Sequence, residues 1–230
     1  MKYRILLLII PLIIVAVILL ALGSGFLVTF VTDKFGETFL WAGLAILAIF
    51  ALINEIKDNI KSKKELTKKR AQYLEAGKLL FKNHPDDFEA FYGPYLQGGK
   101  DSNLKKLKPI EVLHKFAHEK GLSLIIDWRG EENEGEIQHF ISAQMEQTIR
   151  WANTATLKTQ RNDDEVSNGA FIVRLFKAMD KDLQEAGKKL LFFELESDAY
   201  VFMVTDKTTF REIKKIAGEA FYGTEKLKTE

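Results

Sequence analysis

The chain has 230 residues, of which 33 are basic and 32 acidic, and it has no cysteine. So even a balance leaves no electrostatic footprint for nucleic acid. The missing cysteines exclude disulfides, thiolate metal sites and cysteine nucleophiles, so that no cofactor is expected from them.

Residues 5–31 run for 27 positions without an ionisable side chain, and a second apolar run covers residues 39–53. A spanning helix needs about 20 apolar residues to cross a hydrocarbon core of about 30 Å. These runs therefore predict a two-helix transmembrane hairpin, about 5–31 and 35–56, joined by the hydrophilic turn 32–38. A buried core hairpin is disfavoured because the first run is apolar on every face. A signal peptide has support in Lys2, Arg4 and the small residues Ala21 and Gly23. Its apolar region should be only about 7–15 residues long, however, and here it continues through Val31.

Basic residues set the orientation. Lys2 and Arg4 precede the first run, residues 57–70 hold seven Lys or Arg against Asp58 and Glu65, and the turn has only Lys34. Positive charge stays on the cytoplasmic side, which places both termini and the soluble domain in the cytoplasm. Ala21, Gly25 and Thr29 form a small-residue row through which the second helix, or another copy of the chain, can pack closely. The bilayer is thus one expected partner and a homo-oligomer another.

Residues 57–82 read as a basic juxtamembrane stalk helix, and 83–230 as one domain large enough to bury its own core. Residues 84–103 mix Phe88, Phe91, Tyr92 and Tyr95 with Gly93, Pro94, Gly98 and Gly99, which predicts an aromatic-rich loop. Such a loop either packs on the core or offers a stacking surface. Phe91, Tyr92, Tyr95 and Trp128 are the residues that such a surface would use.

Further along, 109–120 is a predicted helix with Pro at its first turn, and 122–128 a short strand. The amphipathic segment 136–151 predicts a second helix and 152–168 a polar loop. A third helix spans 171–186, closed by Gly187. Residues 190–195 and 200–204 form a hairpin whose strands are apolar on both faces. Thr209 and Glu212 match a capping box that opens a last helix reaching Phe221. The order after the stalk is α-β-α-α-β-β-α: an α+β fold with a three-stranded sheet covered on one face by helices.

Chemistry-bearing residues are sparse. His114 and His118 stand four apart on one helix, and Asp127 is the nearest candidate for a third metal ligand. Lys115 replaces the Glu that a metalloprotease helix needs after its first His. Asp127, Glu131, Glu132, Glu134 and Glu136 crowd one turn; negative charge beside a helix N-terminus accounts for them without catalysis. Phosphate-loop, dinucleotide and nucleophile-elbow patterns are absent.

Two stretches resemble a known family. One is Leu124-Ile125-Ile126-Asp127-Trp128 with its acidic helix start. The other is residues 190–204, built around Ser197-Asp198-Ala199-Tyr200-Val201. Both are similar to segments of an uncharacterised bacterial family, the domain of unknown function 6630. Glu196 stands where that family's turn has an Asp. The resemblance implies an α+β fold and no established activity. The expectation is a membrane-anchored interaction or regulatory domain in a bacterial cytoplasmic membrane, binding a protein partner. A tethered hydrolase using the acidic turn and the histidines is the alternative.

Overall fold

The computed structural model describes residues 37–97, 103–160 and 169–228. The chain divides into two compact units, Met1–Lys64 and Glu65–Glu230. Helix α1 (Glu37–Leu80) begins in the first of these and ends in the second. The predicted span 5–31, with Ala21, Gly25 and Thr29, lies outside the described residues. Among the described residues no helix is long and apolar enough to cross a membrane.

The second unit is a mixed α+β domain. After the last turns of α1 come α2 (Pro85–Leu96), a 3-10 turn (Asn103–Lys106), α3 (Pro109–Glu119) and β1 (Leu124–Ile126). Then follow α4 (Glu136–Ala143), α5 (Ala152–Lys158) and α6 (Ala170–Glu185). The hairpin β2 (Lys188–Phe193) and β3 (Tyr200–Asp206), α7 (Lys207–Ala217), β4 (Phe221–Tyr222) and a closing 3-10 turn complete it. The strands form one antiparallel sheet in the order β1-β3-β2-β4.

The central hairpin follows from period-two alternation. Leu190 and Phe192 project to one face of β2, Leu191 and Phe193 to the other, and all four are buried. On β3, Phe202 shares the first face and Val201 and Met203 the second. Two cores result. One packs the end of α1 with α2, α3 and α7 against Leu191, Phe193 and Phe221. The other packs α4, α5 and α6 against Leu190, Phe192 and Phe202. Helices therefore cover both faces of the sheet, where the sequence predicted one. The strands are apolar on both sides, and only two helix layers can bury both.

Several predicted boundaries move for physical reasons. Residues 85–96 are helical despite Gly93 and Pro94. Pro85 starts the helix, Asp86 and Asp87 favour its first turn, and Phe88, Tyr92 and Tyr95 recur at helical spacing as its buried stripe. The stripe outweighs two breakers placed near the C-terminal end. The helix predicted over 136–151 stops at Ala143, and part of the predicted loop forms α5. Strand β3 runs straight into α7, so Asp206 occupies the N-cap in place of Thr209. Phe221 leaves the last helix and pairs with Phe193 as a fourth strand.

Buried carboxylates staple the second core. Asp182 of α6 accepts the backbone N–H groups of Asn153 and Thr154, each at 2.9 Å, and the Thr154 hydroxyl at 2.7 Å. Burial alone would raise its pKa, but these hydrogen bonds with Thr154 and Asn153 outweigh it and hold the carboxyl below its usual range. The start of α5 is thereby capped from a neighbouring helix.

On the other side, Gly77 lets the Phe88 ring lie directly on α1, in the space that a Cβ would take. Phe88 is in turn ringed by Phe81 and Phe116, at centroid distances of 5.1 and 5.2 Å. The last turns of the predicted stalk are thus part of the domain core.

Candidate functional site

A cleft of about 490 Å³ opens in the Glu65–Glu230 unit. Four segments distant in sequence build it. Helix α1 contributes Leu66, Lys69 and Tyr73, and the turn before α3 contributes Lys105, Lys106 and Lys108. Glu194 and Glu196 come from the β2–β3 connection, and Glu219 precedes β4. The hollow continues into a second one of about 390 Å³ that shares Lys69, Tyr73 and Glu219.

Glu196 in this cleft, and Arg70, which follows the lining residue Lys69 but does not itself line the cleft, depart from ordinary packing. Glu196 has φ +55°, and it is the one non-glycine residue with a left-handed backbone among the described residues. That conformation costs about 1–2 kcal/mol for an L residue with a Cβ, and Asp or Asn tolerates it better. Its carboxylate lies 2.5 Å from Lys108 Nζ, an ion pair that ties the start of α3 to the β2–β3 connection.

Arg70 is the second. It is only 9% exposed, its guanidinium lies 4.2 Å from the centroid of the Tyr95 ring, and its Nε is buried without a hydrogen-bond partner. A buried cation is expensive unless it is paired. No carboxylate among the described residues forms a salt bridge with it.

The aromatic residues singled out from the sequence fall in different places. Tyr92 and Tyr95 are fully buried, which removes them from any stacking surface: their rings fill the first core. Their hydroxyls instead brace the wall. Tyr92 Oη donates to the Arg70 carbonyl and Tyr95 Oη to the Leu107 carbonyl, both at 3.0 Å. Burial pushes the Tyr95 hydroxyl up while Arg70 pulls it the other way. Tyr73 is raised by burial and by the Glu219 carboxylate beside it. Phe91 is half-buried and packs 5.4 Å from Phe116. Trp128 is 41% exposed, at the far edge of the sheet, with its ring on Gly169; a Cβ there would collide with it. The four aromatics do not form one surface.

The histidines and the acidic turn are brought together no better. His114 and His118 lie with ring centroids 5.9 Å apart, and His114 also meets Phe193 at 5.8 Å. Burial, and then His118, hold the His114 imidazole below its usual range. Asp127 sits in the turn after β1, where its Oδ1 accepts Arg129 N–H and Nε–H at 2.9 and 3.0 Å. No group of three His, Cys, Asp or Glu able to hold a metal occurs among the described residues. Glu131 accepts the Gly135 and Ile137 N–H groups and so caps the start of α4. This is the electrostatic role that an acidic helix start predicts.

Sequence reasoning passed over the cleft, although one signal was available. Lys105, Lys106 and Lys108 immediately precede a Pro-led helix that has no Ser, Thr, Asp or Asn at its N-cap. Arg70 and the glutamates carried no signal, because only the fold assembles them.

The fold defines a class: an α+β domain, helices on both faces of a four-stranded antiparallel sheet, with a charged cleft at one helix start. The chain belongs to the family described as domain of unknown function (DUF6630), whose family model matches residues 45–227. The match extends well beyond the stretch that carried the resemblance and reaches into α1. No curated protein and no solved structure matches the chain.

Proposed function

We propose that this protein is a membrane-anchored interaction or regulatory domain, held on the cytoplasmic face of a bacterial membrane and acting by binding rather than by catalysis. One observation carries the anchor. Trp41, Ile46, Leu47, Phe50, Leu52 and Ile53 of α1 are between 42% and 66% exposed. These side chains point all round the helix, so turning it cannot hide them from water. An apolar surface of that extent marks contact with lipid or with other membrane helices. It follows a 27-residue uncharged run in the sequence, and basic residues 57–70 come next, as the positive-inside rule requires. The row Ala21, Gly25 and Thr29 then serves close helix packing, within the hairpin or between copies.

Flotation and alkaline-carbonate extraction test the anchor. The full chain should remain with the membrane in carbonate and be released only by detergent. A reporter active only in the cytoplasm should work when fused after Glu230. Release by carbonate, or activity of a periplasm-only reporter at that position, would refute the reading.

A further inference from the structure

We propose that the isoleucines of α1 form the seam against which the chain's own uncharged run, residues 5–31, folds back as an antiparallel helix. The inference rests on the hairpin reading of the anchor and names the face that closes it. Every isoleucine of α1 belongs to one row: Ile46, Ile49, Ile53, Ile56 and Ile60. At about 100° per residue, steps of three and four keep all five within an arc of about 80°. Each is between 42% and 56% exposed.

This row differs from general apolarity. Alternating steps of three and four repeat every 3.5 residues, the spacing of a left-handed helix pair. Membrane helices mostly cross in that sense, at about +20°. A β-branched side chain in a helix has one strongly preferred χ1 rotamer, so Ile loses little freedom when it packs. Lipid contact needs no such selection, and Trp41, Leu47, Phe50 and Leu52 supply it outside the arc.

What covers the row follows from the length of chain ahead of α1 and where it ends. The uncharged run stops at Val31, α1 starts at Glu37, and only residues 32–36 separate them. A connection that short joins antiparallel neighbours. At equal rise, a helix running back from Val31 brings Ile5 beside residue 63 of α1, about 39 Å along the axis. The row ends at Ile60 and Lys61, Lys63 and Lys64 follow, as Arg4 and Lys2 stand beyond Ile5. The two apolar stretches therefore end together. In that register Leu22, Leu19, Val15, Leu12 and Leu8 meet Ile46, Ile49, Ile53, Ile56 and Ile60 in turn, again at steps of three and four. A second copy would have to displace a segment tethered by so short a turn, whose effective concentration is on the order of millimolar.

The chain has no cysteine, so disulfide cross-linking reads the seam directly. Full-length I53C/V15C, I53C/L12C, I53C/L19C, A51C/V15C and I53C alone are oxidised with copper–phenanthroline in neutral detergent micelles. Ala51 lies opposite the row and serves as the control. A disulfide forms only where Cα atoms come within about 7 Å, so I53C/V15C should close an intramolecular bond about ten-fold faster than A51C/V15C. I53C alone should stay monomeric. Fastest closure in I53C/L12C or I53C/L19C shifts the register by one turn and keeps the seam. If no I53C pair outpaces A51C/V15C, the run does not cover this row and the proposal is overturned. Disulfide dimers of I53C alone, forming faster than any pair closes, place a second copy on the row and overturn it as well. Micelles leave the bilayer aside, so the two readings fail separately. A chain that cross-links along the row yet is released by carbonate keeps the seam and refutes the anchor.

Discussion

The Asp180 carboxylate of α6 accepts the backbone N–H of Leu190 at 2.8 Å, fixing the start of the central strand to the helix that covers it. Its other oxygen accepts the Thr224 hydroxyl at 3.0 Å, and the residue is 3% exposed. Leaving a buried donor unsatisfied costs about 1–3 kcal/mol. Asp180→Ala should therefore lower the unfolding free energy by about 1–3 kcal/mol, read as a lower urea midpoint. An unchanged midpoint would mean that water replaces the carboxylate without penalty.

Phe202 occupies the middle of β3 and is fully buried, with its ring 5.2 Å from Phe176 and 5.7 Å from Phe192. Truncating such a side chain typically costs about 3–5 kcal/mol against a total stability of about 5–15 kcal/mol. Phe202→Ala should strongly destabilise or unfold the domain, whereas Asp198→Ala, in the exposed connection, should cost far less. Thermal melts of the two variants decide it, and equal midpoints would contradict the placement of Phe202 in the core.

Gly77 and Phe88 tie α1 to the first core, and this has a consequence for where the chain can be cut. A fragment of residues 65–230 keeps Ala76, Gly77 and Phe81 and should melt cooperatively. One beginning at residue 83 loses them and should aggregate or melt broadly. Gly77→Ala in the longer fragment should cost about 1–3 kcal/mol, since a Cβ must displace the Phe88 ring. A cooperative fragment 83–230 of equal stability would show that α1 is dispensable.

His114 gives the fold a sensitivity to acid. Burial and His118 keep its imidazole neutral in the folded chain, whereas in the unfolded chain it takes a proton near about pH 6.5. The folded value is depressed, so this stability is fully present above about pH 6.5 and is lost as pH falls through the folded value. His114→Phe keeps a ring against Phe193 without the titration. Its melting temperature should fall less between about pH 7.5 and about pH 5 than that of the wild-type chain. Parallel falls would remove His114 as the cause.

Local pattern by itself determined a good part of this protein. The hairpin over 190–204, with Phe192 and Phe202 on one face and Phe193 and Met203 on the other, follows from alternation along each strand. The helices around Val112 and Phe176 follow from apolar spacing with Pro at one start and Gly beyond one end. The two short stretches around Asp127 and Ser197 were enough to name the family. Tertiary structure decided the rest, because the energies responsible come from neighbours that are remote in sequence. Residues 85–96 become helix only because Phe88, Tyr92 and Tyr95 find a core beneath them. Phe221 and Tyr222 are too few to show any period, and they form a strand because the edge of β2 offers them hydrogen-bond partners. The cleft joins Lys69, Lys106, Glu196 and Glu219, and no pattern within any one segment encodes an arrangement that exists only when four segments meet.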